Sequence, residues 1–371
     1  MRVRAFFVAV LLWAPCAQSQ RVVRETAAQW RAARALTLAP ERVWCADADA
    51  AGCDFKRPAS VRALPDGGLL ASDAQGPLNR FGADGRFIAS LGRRGQGPGE
   101  YGFVIEASLA SNGFVTWFDN TQMRIATVKL DGTAGPVSRL MPPYTMALMF
   151  LVDTSLVVLD VPASAKVGEM VEATYRTVPA SGTPRILARV RTPSVFAVGS
   201  DMLPMAGPFD TRVIGDVGPS GDVAHSNGTR YDVAMFPTSG APWRLEVDAP
   251  VRAVTAAERD SALTAIMKRL RVSIANELPP VVRAAYQASR AYHPPLSLIK
   301  VLRDGTVWIR PTPDAGSTSA RWDVFARDGT RIGAVNLPIP SRVWDGARDW
   351  VLVNELGEDD IARFVRYRVG R

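Results

Sequence analysis

The chain contains two histidines, His225 and His293, and this scarcity restricts its chemistry. A zinc centre held by three imidazoles is impossible, and a Ser-His-Asp triad would have to draw on one of these two rings. No Gly-x-Ser-x-Gly elbow occurs. His293 stands in AYHPP at the end of a helix-like stretch, where an imidazolium would meet a favourable helix dipole. His225 follows the strand-like run Asp222-Val223-Ala224 and could face a central channel. The other chemically able groups are carboxylates and amides at the ends of strand-like runs: Asp73, Asp119, Asn120 and Asp160, and on a separate segment Asp222 beside His225. Brought together, such donors could hold calcium or another divalent cation, which takes roughly six to eight oxygens. Taken singly, each reads as a side chain satisfying backbone groups in a turn.

Cys45 and Cys53 lie eight positions apart in CADADAAGC. In an exported chain this pair reads as a disulfide more readily than as a metal site. The short loop it closes is expected to add about 2 kcal/mol by restricting the unfolded chain. Asp47 and Asp49 lie inside that loop, but the glycine-hinged spacing of an EF-hand does not follow them.

The stretch SLGRRGQGPGEYGF, residues 90–103, packs five glycines around two arginines and a glutamate. A phosphate-binding loop needs a helix N-terminus after it, where backbone N–H groups converge on the anion. Here GFVIEASLASNGFV follows, which reads as strand and hairpin, and no Gly-Lys-Ser/Thr is present. The stretch is therefore expected to be a connector, with Tyr101 packed under a sheet and Glu100 capping a backbone turn.

The elements that would position these residues repeat along the chain. Paired turns fall at Asp66-Gly67 and Asp84-Gly85, Asn112-Gly113 and Asp131-Gly132, Ser220-Gly221 and Ser239-Gly240, and Asp304-Gly305 and Asp328-Gly329. Asp-Gly and Asn-Gly supply the positive φ of tight hairpins. Between the turns run short β-branched and aromatic stretches such as Thr306-Val307-Trp308-Ile309 and Phe114-Val115-Thr116-Trp117. Each unit reads as a four-stranded antiparallel sheet, and sheets arranged radially bury their faces against one another. Less regular segments, 144–192 and the C-terminal SRVWDGARDWVLVNELGEDDIARFVRYRVGR, bring the count to six. Arg42-Val43-Trp44-Cys45 could pair with the last unit and close the ring. The stretch 255–292 breaks the β pattern. Thr255 and Glu258 have capping-box spacing, Ala262, Leu263, Ile266, Met267 and Leu270 recur helically, and a second helix is expected from Val281 to Tyr292.

The element LGRRGQGPGEY resembles the inter-blade element of NHL-type six-bladed β-propellers, near fGxxGxGPGxF, and NRFGADGRFIAS matches the strand-turn-strand before it. The ending VWDGARDWVLVNELGEDDIARFVRYRV resembles the last blade of exported bacterial six-bladed propellers of uncharacterised function. The resemblance covers most of residues 42 to 370 and is sharp over 64–101, while the third and fourth units depart from it. It implies a fold shared by lyases, lactonases and binding modules, so the fold alone does not decide function.

The expected organisation is a signal peptide over 1–19, an N-terminal arm over 20–41, and an all-β six-bladed β-propeller over 42–371 with a helical insertion, 255–292, between late blades. Arg2 and Arg4, the uncharged run Ala5 to Trp13 and Ala17-Gln18-Ser19 give the three-part layout of an export signal, and the run is too short to span a membrane. Export to the periplasm or the medium follows. The formal net charge of +8 falls to +6 once Arg2 and Arg4 are removed, and half of that sits in residues 20–35. That arm is expected to be solvated or loosely docked. With no basic stripe interleaved with aromatics, nucleic acid is not an expected partner. The leading expectation is a non-catalytic exported binding module that presents its loops and insertion to a protein or saccharide, with no required cofactor. The alternative is a metal-dependent hydrolase or lactonase with an axial oxygen-ligand site.

Overall fold

The computed structural model describes residues 20–370 except 74–75, 120, 141–145, 163, 166–168, 180–182, 195–208, 210–212, 281–282, 284–290 and 358–359. The expected turns form as read: Gly67, Gly85, Gly113, Gly132, Gly221, Gly240, Gly305 and Gly329 all have φ between +80 and +99°. In six of the eight, the Asp or Asn before the glycine accepts the N–H two residues on, as Asp304 does from Thr306 at 3.0 Å. That side-chain bond and the glycine's left-handed conformation together reverse the chain.

The hairpins assemble into six antiparallel sheets, the blades of a six-bladed β-propeller. Blade one comprises Pro58–Ala63, Leu69–Asp73, Leu78–Phe81 and Phe87–Leu91. Blade two comprises Val104–Leu109, Phe114–Asp119, Arg124–Lys129 and Ala134–Arg139. Blade three comprises Met146–Val152, Ser155–Asp160, Met170–Pro179 and Ile186–Pro193. Blade four comprises Ile214–Val217, Val223–Ser226, Asp232–Phe236 and Trp243–Val247. Blade five comprises Leu296–Val301, Val307–Pro311, Ser319–Phe325 and Arg331–Pro338. Blade six joins Arg342–Ala347, Trp350–Leu356 and Ala362–Gly370 to Thr37–Trp44, whose register with the last strand runs from Thr37↔Gly370 to Trp44↔Phe364. The ring closes with this N-terminal strand, as expected.

The core lies in the seams between blades. One apolar cluster fills each seam: Leu78, Tyr101 and Trp117 between blades one and two, Phe118 and Leu156 between two and three, and Tyr175 and Val223 between three and four. Trp243 and Phe325 fill the fourth seam, Trp322 and Val353 the fifth, and Phe364, Phe81 and the Cys45–Cys53 disulfide the sixth. Tyr101 packs edge-on against Trp117, as read from the glycine-rich stretch. In that connector, Glu100 accepts the Gly97 N–H at 2.8 Å, and Arg124 donates to the Gln96 and Glu100 carbonyls. It is a pinned turn between blades one and two.

The N-terminal arm departs from expectation, since it is docked along its length. Strand Arg21–Glu25 adds a fifth, parallel strand to blade four, in register with Trp243–Val247. Helix α1, Ala27–Arg31, starts with a Thr26–Gln29 capping box. Arg34 and Leu36 then bond to both backbone groups of Ala334 in blade five. A Cβ on Gly333 would meet the Arg34 carbonyl at 2.6 Å, so only glycine lets the arm lie this close. The arm thus straps blades four, five and six together.

Helix α2, Ala256–Leu270, leaves the ring between blades four and five, with the expected capping box at Thr255 and Glu258. Ile266 and Leu278 form a small core of its own with Leu263 and Met267. Most of the second expected helix lies outside the described residues. No helix among the described residues is long and apolar enough to cross a membrane.

Candidate functional site

The expected donors do not converge. Asp73 and Asp119 end the second strands of blades one and two, whereas Asp222 precedes the second strand of blade four. Second strands run the same way in every blade, which puts Asp222 on the opposite face of the ring. Asp73 accepts the Arg57 N–H at 2.6 Å, and burial raises its pKa against that bond. Asp119 accepts from the N–H groups of Gly102 and Phe103 and from the side chains of Thr121 and Gln122. Burial alone would push its carboxyl up, but these bonds hold it below the usual range. Both carboxylates thus fasten the chain that leads into the first strand of their own blade.

Asp160 accepts from Arg176 at 2.9 Å, and Asp222 from Thr238 and Arg327 at 2.6–2.8 Å. Asn120 lies outside the described residues. Among the described residues no three His, Cys, Asp or Glu side chains gather into a metal-binding group. The oxygens that are bonded are held by backbone N–H groups, hydroxyls, the Gln122 carboxamide and arginines, whereas Asp222 Oδ2 is buried without a partner among the described residues.

His225 ties two blades together. The Tyr175 hydroxyl of blade three lies 3.1 Å from Nδ1, and Nε2 lies 3.0 Å from the Asn227 carboxamide oxygen. The Asn227 amide nitrogen is committed to the Arg191 carbonyl, so its oxygen faces the ring and must accept. Nε2 therefore carries the proton and Nδ1 accepts from Tyr175. A Cβ on Gly215 would meet the tyrosine oxygen at 2.2 Å, which explains the glycine there. Burial pushes His225 from 6.5 down to about 4, while the Asn227 contact opposes this.

The folded pKa lies below the unfolded one, so the unfolded chain takes up the proton first. The neutral ring's stability is complete above about pH 6.5 and is lost as pH falls through 4. Urea midpoints are expected to drop over that window by the equivalent of about 1–3 kcal/mol. His225→Gln should flatten the drop, and an unchanged profile would refute the buried neutral imidazole.

The helix whose end His293 was expected to meet lies mostly outside the described residues. His293 Nε2 lies 3.2 Å from the Glu258 carboxylate, which places it at the N-terminus of α2, and its ring packs on Phe209. Arg252 donates to the same carboxylate at 2.6 Å and, with the Thr255 N–H, holds it well below the usual range. His293 N bonds to the Arg252 carbonyl, and Ala253 bridges Tyr292, so the two ends of the insertion are zipped at a neck.

The axis is lined by the first strand of each blade, and three of its carboxylates follow one scheme. Glu106 of blade two accepts the Leu151 N–H of blade three, Asp216 of blade four that of Val301 in blade five, and Asp345 of blade six that of Ala63 in blade one. Each also pairs with a cation, Arg62, Lys300 and Arg303 respectively. Alternate seams are thereby bolted at the axis.

A cleft of about 680 Å³ opens at the neck of the insertion, between it, the outer strands of blade four and the arm. Tyr292 and Val251, 55% and 61% exposed, form its apolar wall. Arg244 pairs with Asp232 and Glu246 on its floor. Arg230, exposed at its rim, makes no hydrogen bond or ion pair with the described residues. A second cleft of about 420 Å³ shares His293 and Pro295 with it. Of these cleft residues, sequence reading weighed only His293 as a chemically able group. The break in β pattern marked the insertion, but its neck forms only when residues near 250 and 292 meet.

No family model matches the chain, and no curated protein matches it. Among solved structures, a putative exported protein of Bacteroides fragilis is 15% identical, covering 94% of this chain and 99% of its own, at a TM-score of 0.51. A member of the DUF4221 family from Bacteroides vulgatus is 11% identical, covering 91% and 99%, at a TM-score of 0.53. These likenesses show the fold.

Proposed function

We infer that residues 20–371 form an exported, non-catalytic binding module of NHL-like propeller type, acting in the periplasm or outside the cell after removal of residues 1–19. Its ligand is a protein or saccharide held at the insertion neck. The observation that carries this reading is the cleft, where an exposed tyrosine and an unpartnered arginine flank a polar floor. Ligand sites of this size combine an apolar wall with a few placed polar groups, and aromatic and arginine side chains dominate such contacts. The disulfide accords with an oxidising compartment, and the Bacteroides fragilis neighbour is itself described as exported.

Screening the mature chain on glycan and peptide arrays tests the reading. Tyr292→Ala with Arg230→Ala should weaken any specific hit at least about tenfold, or 1.4 kcal/mol, and leave the melting temperature unchanged. A hit that the double variant retains would place the ligand elsewhere.

A further inference from the structure

The arm that straps the ring also bounds a cleft of about 840 Å³, between itself, the last hairpin of blade five and the first hairpin of blade six. Four arginines line it, Arg24, Arg34, Arg331 and Arg348, against two carboxylates, Glu25 and Asp328. Several of these charges are already answered. Glu25 pairs with Arg331, and Glu246 with Arg24. Asp328 accepts the Thr330 N–H at 2.9 Å, and Arg21 reaches the Asp328 backbone carbonyl. Arg34 and Arg348 differ: both are exposed, and neither side chain makes a hydrogen bond or ion pair with the described residues.

Their backbones, by contrast, are fixed. The Arg34 carbonyl accepts the Ala334 N–H of blade five at 2.8 Å. The Arg348 N–H donates to Asp304 Oδ2 at 2.8 Å, and the other Asp304 oxygen accepts the Thr306 N–H. Both arginines therefore stand on chain pinned to blade five, one arriving from the arm and the other from blade six. Two uncommitted guanidiniums on fixed backbone in one cleft leave only their side chains to be ordered when an anion binds, which keeps the cost of binding low.

We propose that this cleft binds a phosphate monoester, held between Arg34 and Arg348. The fork of a guanidinium matches two phosphate oxygens. A phosphate monoester carries about 1.5 to 2 negative charges at neutral pH, so it answers both unpaired cations at once, whereas a single carboxylate would leave one unanswered. Soluble sugar phosphates and lipid headgroups both present this group. The cleft is separate from the one at the insertion neck, although Arg24 and Glu25 of the arm strand line both.

The test is calorimetric titration and thermal melting of the mature chain with a hexose monophosphate and inorganic phosphate, against acetate and chloride at equal ionic strength. Flotation with vesicles that contain or lack phosphatidic acid tests the lipid source. The phosphates are expected to bind saturably and to raise the melting temperature, as any ligand of the folded state alone does. Arg34→Gln and Arg348→Gln should each weaken that binding at least about tenfold. Neither should lower the melting temperature of the free protein, since neither side chain has a partner to lose. The neck variant, Tyr292→Ala with Arg230→Ala, should bind phosphate as the parent does. Binding confined to phosphatidic acid vesicles, and weakened by both arginine variants, would support the site and assign its phosphate to a lipid. No saturable response to any of these phosphates would overturn the proposal, as would undiminished binding in both arginine variants or acetate binding as tightly as phosphate.

Discussion

Replacing Asp323 with alanine is expected to lower the unfolding free energy by about 3–5 kcal/mol, the range for a buried charge pair that loses one member. Asp323 lies on the third strand of blade five and is 0% exposed. One of its oxygens accepts from Trp30 Nε1 of the arm at 2.8 Å and from the Tyr231 hydroxyl of blade four at 2.5 Å. The other accepts from Arg321 at 2.8 Å and Arg331 at 3.0 Å. One carboxylate thus joins blade four, blade five and the arm. Burial, followed by the Asp323 charge, raises the Tyr231 pKa well above its ordinary value, so its hydroxyl stays a donor.

Alanine would orphan two donors and take a carboxylate from two partly buried cations together. Arg331 would keep Glu25, but Arg321 would retain only the Trp30 carbonyl and ring. Asp323→Asn keeps an acceptor for Trp30 and Tyr231 while losing the charge, so it should fall between parent and alanine. Guanidinium unfolding with an unchanged m-value is the appropriate measure. A loss below about 1 kcal/mol for the alanine variant would mean the cluster contributes no more than an ordinary hydrogen bond.

Asp323 also illustrates which features were legible in the sequence. Turn chemistry is local: Asp66-Gly67 or Asp328-Gly329 fixes its own hairpin, so the blade pattern could be read by eye. The capping box at Thr255 and Glu258 is local in the same way, as is the pairing of Cys45 with Cys53 across eight positions. The docking of Trp30 on Asp323 joins residues 293 positions apart, and nothing near Trp30 announces it. One local signal was there and went unread: Thr26-Ala-Ala-Gln29 is a capping box, a sign of an ordered start in a segment expected to be solvated.

The surroundings of the candidate donors were hidden for a related reason. A carboxylate at a strand end looks the same in sequence whether it faces a cation or a backbone N–H. Asp119 turned inward because Gly102 and Phe103 need acceptors where the connector enters blade two.

Removing residues 20–35 should separate ring closure from strapping. Thr37–Trp44 survives the deletion, so blade six keeps its outer strand and the ring still closes. Blade four, however, loses its fifth strand, and the edge of Trp243–Val247 becomes free. Arg331 loses Glu25, and Arg321 loses the Trp30 ring that it covers with Cζ 4.5 Å from the centroid. Set against the entropy recovered when the arm is absent, these losses should amount to about 2–4 kcal/mol. For a chain of this length that is a fall of about 3–5 °C in melting temperature.

The larger consequence should be association. A bare strand edge presents unpaired N–H and C=O groups to other chains, and the deletion also removes three net positive charges that would oppose contact. Sedimentation at increasing concentration should show self-association in the truncated protein but not in the parent. Adding Val23→Pro to the mature chain should reproduce part of the effect, because Val23 alternates with Glu25, whose carbonyl faces the Trp243–Val247 strand, and proline removes a ladder donor there. A truncated protein that stays monomeric and melts within about 1 °C of the parent would show that the arm rests on the ring without holding it, and that Asp323 needs no third partner.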